Sequence, residues 1–306
     1  MRWVPSRYFC DGSRSEPATF MLVDLVQVTA SDGVRLHGAL ESPSEKPDAP
    51  LDAWLCIHGT GSNFYAGSTL AGLAPKLLAQ GAAVLRANTR GHDIVSTGPS
   101  AGGRWLQGAA FERVDEAPLD LTAWIALLRE RGYQRIGLLG HSMGAIKAIL
   151  TLAGDDAPAV EALVAASPPR LSHERFNQSS QGEGFRQTLA QCEQMVSDGR
   201  GDELIFVKFP LAYYITAAGF LDRYGPEERY NVLRLVSRVK CPTLATFGSS
   251  EVQAHEAFCG MPEELPPLAT PENSLQVAVI AGADHNYTGC HDSLAAVIDK
   301  WLRRAQ

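Results

Sequence analysis

The chain has 306 residues, 45% of them hydrophobic and 20% charged, with a formal net charge of −7 at pH 7. This composition is that of an ordinary globular protein with a sizeable core, and the length suits one large α/β domain or two smaller ones. The negative charge disfavours a nucleic acid or an anionic membrane as partner, and no uncharged apolar run is long enough to span a membrane.

Extended and helical patterns alternate along the first 170 residues. Two extended runs, 20–29 and 34–41, flank a turn signature and predict a hairpin. The pattern then predicts a strand at 51–58, a helix at 65–80, a strand at 82–87, a helix at 114–131, a strand at 135–139, a helix from 145 and a strand at 160–166. This alternation predicts an α/β fold with a mostly parallel central sheet and helices on both faces.

The alternation breaks between residues 171 and 238. This segment is helix-rich and far longer than the two to six residues of an ordinary connection in such folds. Its aromatic residues include Phe206, Phe209, Tyr213, Tyr214, Phe220, Tyr224 and Tyr230. We expect a helical lid that covers the carboxyl ends of the strands, where ligands bind in open α/β sheets. Tyr213 and Tyr214 are expected to bind substrate, with core packing as the alternative role for these rings.

Two strands and a helix follow the lid, at 243–247, 275–280 and 292–304. They resume the alternation of the first half of the chain. We therefore expect one α/β core made of residues 1–170 and 239–306, with residues 171–238 as an inserted lid. The first 20 residues contain several charges and no long apolar stretch, so we expect neither a signal peptide nor a membrane anchor.

Residues 140–144 match the G-x-S-x-G pattern, in which a serine lies on a sharp turn between a strand and a helix. The apolar run before Ser142 has strand length, and the run after it predicts a buried helix. Gly140 and Gly144 leave room where two backbone segments cross, and the helix start favours negative charge at the serine. A second match at 98–102 lies in a loop without a flanking strand or helix, so we do not expect a nucleophile there.

Four further motifs follow predicted strands: His-Gly-Thr-Gly at 58–61, Asn-Thr-Arg-Gly-His at 88–92, Phe-Gly-Ser-Ser-Glu at 247–251 and Ala-Asp-His at 283–285. With the serine motif, and in this order, they resemble the α/β-hydrolase family over nearly the whole chain. The resemblance implies the α/β-hydrolase fold and a catalytic triad of Ser142, Glu251 and His285. It also implies an oxyanion hole formed by the backbone amides of Met143 and Thr60.

The acid of this triad has alternatives. The family's usual residue is aspartate, whereas the turn after the late strand offers Glu251, and Asp222 and Asp120 remain possible substitutes. His285 follows the final predicted strand, and its nearest competitor, His291, begins the closing helix. Within the family, residues 220–227 and 284–289 and the glutamate itself resemble a branch that includes fungal siderophore esterases.

The chemistry agrees with these residue types. A serine hydroxyl needs a base to accept its proton, histidine titrates in the right range, and a carboxylate fixes the histidine tautomer. We expect an enzyme that hydrolyses a carboxylic ester, thioester or amide of a small molecule through an acyl-enzyme on Ser142. Cleavage of a C–C bond, acyl transfer on the same triad and a non-catalytic binding protein remain alternatives.

No cofactor or metal is expected. Gly59 and Gly61 lack the third glycine of a dinucleotide-binding motif, since Phe64 stands in its place, and no H-E-x-x-H motif or Cys/His cluster is present. Six cysteines without a C-x-x-C pair favour a reducing compartment, so we expect a cytoplasmic protein. The oligomeric state does not follow from the sequence.

Overall fold

The computed structural model describes residues 23–43, 49–66, 68–101, 103 and 106–305. In these residues the strands are β1 (Asp24–Thr29), β2 (Arg35–Glu41), β3 (Ala53–Ile57), β4 (Ala83–Ala87), β5 (Ser96–Thr97), β6 (Leu106–Gln107), β7 (Ile136–His141), β8 (Ala162–Ala166), β9 (Leu204–Val207), β10 (Tyr213–Thr216), β11 (Thr243–Gly248) and β12 (Gln276–Ile280). The α-helices are α1 (Thr69–Ala79), α2 (Ala117–Glu130), α3 (Met143–Leu152), α4 (His173–Gln178), α5 (Gly182–Ser197), α6 (Ala217–Tyr224), α7 (Val232–Leu235), α8 (Ser249–Ala254), α9 (Met261–Glu264) and α10 (His291–Ala305). The expectations for residues 1–22, including the start of the first predicted strand, lie outside the described residues.

Eight strands form one sheet in the order β1-β2-β4-β3-β7-β8-β11-β12. β1 and β2 form the predicted hairpin and β2 pairs antiparallel with β4, whereas the other neighbours in this sheet pair in parallel. The prediction of an α/β fold with a mostly parallel sheet is confirmed. As a result, β3, β4, β7, β8, β11 and β12 all point their carboxyl ends to the same edge of the sheet.

Helices cover both faces of this sheet. Leu73 and Leu77 of α1 pack with Ile298 of α10 on one face. Trp124 of α2 and Ile146 of α3 pack on the other. Because β3 is covered on both sides, each of its five residues is buried, which explains its uniformly apolar sequence. No helix in the described part of the chain has both the length and the apolar character that a membrane span requires.

Between β8 and β11 the chain forms α4 to α7 and an antiparallel hairpin of β9 and β10. The helices agree with the helix-rich character predicted for residues 171–238, but the hairpin was not predicted. Its strands alternate with a period of two. Tyr213 and Ile215 are buried, while Phe206 and Tyr214 are more than half exposed, at 53% and 52%. This period distinguishes the hairpin from the helices around it.

Candidate active site

Ser142 lies on a strained turn between β7 and α3. Its backbone has φ 56° and ψ −123°, and its N–H donates a hydrogen bond of 2.8 Å to the carbonyl of Ala166. A Cβ atom on Gly140 would overlap the carbonyl of Gly144, and one on Gly144 would overlap the carbonyl of Ile57. The two glycines are therefore required by close backbone contacts at this turn.

The structure brings Ser142, His285 and Glu251 together. Nε2 of His285 lies 3.0 Å from Oγ of Ser142, and Nδ1 lies 2.7 Å from Oε2 of Glu251. The carboxylate is buried, with 1% of its side chain exposed, whereas 32% of the imidazole is exposed. Since a carboxylate accepts hydrogen bonds, Nδ1 donates to it and Nε2 is free to accept the serine proton. The longer side chain of glutamate reaches the histidine.

The alternative acids are engaged elsewhere. Asp120 is fully buried and accepts hydrogen bonds from the guanidinium of Arg90, the shortest of them 2.7 Å. Asp222 accepts a hydrogen bond of 2.8 Å from the hydroxyl of Tyr230 and also pairs with Arg229. Neither carboxylate is within hydrogen-bond distance of the imidazole of His285. The competing histidine, at position 291, lies beside α1 at the start of α10.

Thr60 and Met143 line the cavity in front of Ser142. The loop that carries Thr60 approaches the serine closely, because a Cβ atom on Gly59 would lie only 2.9 Å from the Cβ atom of Ser142. His58 connects this loop to the loop after β4 through two hydrogen bonds. Its Nδ1 donates to the carbonyl of Gly59 at 2.8 Å, and its Nε2 accepts the N–H of Thr89 at 3.2 Å. These two bonds fix one neutral tautomer.

Burial keeps His58 and His141 neutral. Burial, with a smaller contribution from the positive charge of Lys147, lowers the pKa of His58 to about 3. Burial is also the main cause that lowers the pKa of His141 to about 3. Nε2 of His141 donates to the backbone carbonyl of His285 at 2.8 Å. A neutral buried histidine therefore supports each of the two loops that carry functional groups, the one after β3 and the one after β12.

Sequence reasoning did not identify the residues that hold Glu251. Its Oε1 accepts the N–H of Gly248 at 2.7 Å and the hydroxyl of Ser167 at 2.5 Å. Ser167 directly follows β8, so it lies at the same sheet edge as Ser142, Glu251 and His285. This position after a strand was the one feature of the sequence that could have indicated its contact with Glu251. The phenol oxygen of Tyr287 lies 2.9 Å from Oγ of Ser167. Asp284, beside His285, accepts backbone N–H groups of its own loop.

A cavity of about 520 Å³ opens in front of the serine and histidine. Its buried walls are apolar and largely aromatic, with Phe176 and Tyr224 from the insertion (residues 171–238) and Phe258 from the loop after α8. Phe209 packs edge-to-face on Phe176, with ring centroids 5.4 Å apart. Polar side chains, among them Lys208, contribute to the more exposed rim. The volume suits a small-molecule ligand, and the walls suit an apolar one.

The two tyrosines expected to bind substrate lie elsewhere. Tyr213 is buried, and its hydroxyl accepts a hydrogen bond of 2.7 Å from Arg223. Tyr214 is exposed, and its ring lies against that of Phe206, with ring centroids 5.1 Å apart and ring planes tilted by 58°. Neither is among the residues that line the cavity. Because neighbouring residues of a strand face opposite sides, Tyr213 faces the core and Tyr214 faces solvent, so the expectation for these residues does not match their positions.

A buried ion network connects the insertion to the helix that follows the serine. Glu112 lies between two cations, with Nζ of Lys147 at 2.6 Å and a guanidinium nitrogen of Arg223 at 3.2 Å. All three side chains are 1% exposed. Burial alone would raise the pKa of Glu112, but the two cations hold it below its usual value. Lys147 also donates to the hydroxyl of Thr89 at 2.8 Å.

Among the described residues, no group of three or more His, Cys, Asp or Glu side chains is arranged to hold a metal ion.

A family model described as "Alpha/beta hydrolase family" matches residues 54–306 of the chain. Among solved structures, the chain is similar to an esterase from Pyrococcus furiosus at 20% identity, with 96% of this chain and 97% of that chain covered and a TM-score of 0.63. It is similar to Est1E from Butyrivibrio proteoclasticus with ferulic acid bound, at 16% identity, 92% and 99% coverage and a TM-score of 0.61. It is also similar to the alpha/beta hydrolase GrgF from Penicillium sp. sh18, at 16% identity, 93% and 99% coverage and a TM-score of 0.64. At these identities the likeness is one of fold. No curated protein sequence matches the chain.

Proposed function

The chain belongs to the alpha/beta hydrolase family, and we propose that it is a serine hydrolase that cleaves carboxylic esters of small molecules. The observation that carries this proposal is the unbroken line of hydrogen bonds from Ser142 through His285 to Glu251, at 3.0 and 2.7 Å. A serine activated in this way attacks carbonyl carbon, and the same constellation performs acyl transfer to water on unrelated folds.

The proposed reaction has two halves. Oγ of Ser142 attacks the ester carbonyl while Nε2 of His285 accepts its proton, and the backbone amides of Met143 and Thr60 bind the resulting oxyanion. The tetrahedral intermediate expels the alcohol, which takes the proton from the imidazole, and an acyl-enzyme remains. His285 then removes a proton from water as the water attacks the acyl carbonyl. The intermediate collapses by breaking the bond to Oγ of Ser142, which takes the proton back from the imidazole as the carboxylic acid leaves. Glu251 stays ionised throughout and stabilises the imidazolium.

We further propose that residues 171–238 form a lid that selects the substrate, while residues 1–170 and 239–306 form the catalytic core. Phe176, Phe209 and Tyr224 support this, because they contribute apolar walls to the cavity that Ser142 also lines. The ligand is then an apolar or aromatic acyl or alcohol group. Thioesters and amides share the reactive carbonyl and are the further substrates to test. One of the structural neighbours, Est1E, has ferulic acid bound, so an aromatic acid ester belongs in the panel.

A fluorophosphonate probe tests the nucleophile. We expect one adduct, located by peptide mass spectrometry on Ser142, and no adduct in the Ser142→Ala variant. Ser100→Ala is the matched control, since it removes the serine of the second G-x-S-x-G pattern and should label like the wild type. A folded sample that does not label would favour a binding protein without turnover.

The substrate class is tested by hydrolysis of p-nitrophenyl esters of increasing chain length, a thioester, an anilide and a methyl ester of a hydroxycinnamic acid. We expect ester hydrolysis with an initial burst of one p-nitrophenol per active site whenever deacylation is slower than acylation. Turnover of the anilide or thioester alone would contradict the ester proposal. Transfer of the acyl group to an added alcohol in preference to water would identify an acyltransferase.

The cytoplasmic location also remains a proposal. Within the described residues Cys56, Cys192 and Cys241 are buried free thiols. Unpaired thiols of this kind are usual in a reducing compartment.

A further inference from the structure

The carboxylate of Glu251 has donors on both oxygens. Oε2 accepts Nδ1–H of His285, while Oε1 accepts the backbone N–H of Gly248 at 2.7 Å and the hydroxyl of Ser167 at 2.5 Å. The hydroxyl contact is at the short end of the range for hydrogen bonds to an ionised oxygen. Ser167 is completely buried, so water does not compete for this contact.

The hydroxyl of Ser167 continues into a chain of buried hydroxyls. Oγ of Ser167 lies 2.9 Å from the phenol oxygen of Tyr287, which lies 2.8 Å from Oγ1 of Thr246. All three side chains are 0% exposed. Burial, followed by the negative charge of Glu251, raises the pKa of Tyr287, so this phenol stays protonated and able to donate.

The carboxylate sets the direction of these hydrogen bonds. Because an ionised carboxylate only accepts, the single hydroxyl proton of Ser167 points to Glu251. The contact between Ser167 and Tyr287 then needs the phenol proton, and the contact between Tyr287 and Thr246 needs the threonine proton. If the phenol donated to Thr246 instead, the oxygens of Ser167 and Tyr287 would face each other at 2.9 Å without a proton between them. Each hydroxyl dipole therefore has its positive end toward the acid.

Two members of this chain have unusual backbone conformations. Ser167 has φ 49° and Tyr287 has φ 53°, in the left-handed region that is costly for residues other than glycine. In the described residues six non-glycine residues have positive φ, and Ser142, Ser167 and Tyr287 are three of them. Ser167 is also held between neighbouring strands, since its N–H donates to the carbonyl of Thr246 at 2.7 Å. The surrounding structure thus imposes the geometry of these hydroxyls.

Glutamate has one more rotatable bond than the aspartate usual in this family and needs more support to present its carboxylate to a histidine. We propose that Ser167 and Tyr287 are positioning residues of the triad, which form with Thr246 a directed hydrogen-bond relay (the Thr246–Tyr287–Ser167 relay). The relay orients the Glu251 carboxylate and offsets part of its negative charge. This proposal rests on the hydrolase function proposed above. Neither residue lines the cavity, so both act through the acid.

The relay has a consequence for the pH dependence of catalysis. Its dipoles offset part of the negative charge of Glu251, so their removal makes the carboxylate hold a proton on the adjacent imidazole more strongly. The inactive, protonated form of the triad then persists to higher pH. Among the described residues, the ring of His141 and the carboxylate of Asp284 lie beside His285, and His255 and Glu256 line the same cavity. The variants described below leave all four unchanged.

The test compares Ser167→Ala, Tyr287→Phe and Thr246→Val by the pH profiles of kcat and kcat/KM. Loss of a charge-assisted hydrogen bond predicts that Ser167→Ala lowers kcat about 10- to 100-fold with little change in KM. The midpoint of the acid limb of kcat/KM should rise by about half a pH unit to one unit. Tyr287→Phe should change both quantities in the same direction by less, and Thr246→Val by less again.

Tyr230→Phe is the matched control. It also removes a buried phenol hydroxyl that is bonded to a carboxylate, that of Asp222 at 2.8 Å, but outside the triad. Its kcat and pH profile should equal those of the wild type. If Ser167→Ala does not fold, Tyr287→Phe decides, because it preserves the ring and the backbone.

Two results would overturn the relay. One is a folded Tyr287→Phe or Ser167→Ala protein with the wild-type kcat and acid limb. The other is a loss of kcat without movement of the limb, which would indicate a structural role only. A wild-type protein that does not label at Ser142 would instead refute the proposed function, so the two failures are distinguishable.

Discussion

The Glu251→Gln substitution preserves the shape of the side chain and replaces one carboxylate oxygen by an NH2 group. The structure predicts which way the amide turns. The Oε1 position is contacted by two donors, the N–H of Gly248 at 2.7 Å and the hydroxyl of Ser167 at 2.5 Å, so the amide oxygen occupies it. The NH2 group then faces Nδ1 of His285, where Oε2 was at 2.7 Å.

This orientation reverses the polarity of the histidine. An NH2 group can only donate, so Nδ1 must accept, and the imidazole proton moves to Nε2, which faces Ser142. A protonated Nε2 cannot accept the serine proton. In serine proteases an aspartate-to-asparagine change with the same effect on the tautomer lowers kcat about 10⁴-fold, which corresponds to about 5.4 kcal/mol of activation free energy. We expect a loss of about 10³- to 10⁴-fold here.

The measurement is kcat/KM for a short-chain p-nitrophenyl ester, with near-UV circular dichroism and thermal unfolding as checks of the fold. Asp222→Asn is the control and should retain wild-type activity, because Asp222 is bonded to Tyr230 and Arg229. Glu251→Asp should be intermediate, since a side chain shorter by one methylene group cannot keep the contacts of both oxygens. A folded Glu251→Gln protein with most of its activity, together with an inactive Asp222→Asn protein, would refute this reasoning.

Three further predictions concern the cavity, the ion network and the buried histidines. Phe209→Ala should shift the chain-length preference for p-nitrophenyl esters by enlarging the cavity, whereas Tyr214→Ala, whose ring lies outside the lining, should not. Glu112→Gln leaves the buried cations Lys147 and Arg223 without a counter-charge. Urea titrations should show a free energy of unfolding that is lower by about 3–5 kcal/mol. An unchanged value would mean that this network does not stabilise the fold. The pKa of His141 is about 3 in the folded protein and about 6.5 when unfolded. Below pH 6.5 the unfolded chain therefore binds a proton that the native protein does not. The free energy of unfolding then decreases as the pH is lowered, until the pH reaches the pKa of His141 in the folded protein. His141→Gln should reduce the slope of unfolding free energy against pH by about 1.4 kcal/mol per unit between pH 4 and 6, and an unchanged slope would mean that this histidine is not neutral in the native state.

The sequence alone determined the order along the chain of the strands in the core and the sheet edge at which the candidate site lies. Uniformly apolar runs of strand length, separated by helical runs, specify buried parallel strands, because only covered strands can be apolar on both faces. Parallel strands end at one edge of the sheet. Ser142, Glu251 and His285 each follow such a strand, so the predicted topology places them close together. The strands ending at His141, Gly248 and Ile280 bring them to that edge.

Tertiary structure decided which of three candidate carboxylates lies beside His285, and this is Glu251. The sequence favoured Glu251 because it follows a predicted strand, and it left Asp222 and Asp120 as alternatives because the family's usual acid is aspartate. Arg90 lies 30 positions before Asp120 in the chain and binds it, while Arg229 binds Asp222. Only the fold reveals these pairings, because they join separate loops and elements.

Tertiary structure also decided which side chains of the insertion reach the cavity and which hydroxyls support the acid. Tyr213 and Tyr214 are neighbours in β10 and point to opposite faces of the hairpin. Neither lines the cavity, whereas Tyr224 of α6 does. The position of each tyrosine in the hairpin or helix, and not its residue type, decides this. Ser167 and Tyr287 come together over 120 positions of sequence. Both have a left-handed backbone conformation that no local pattern favours for serine or tyrosine. Local periodicity encodes secondary structure, whereas the pairing of buried polar groups depends on where distant loops end, and that is fixed only when the whole sheet has assembled.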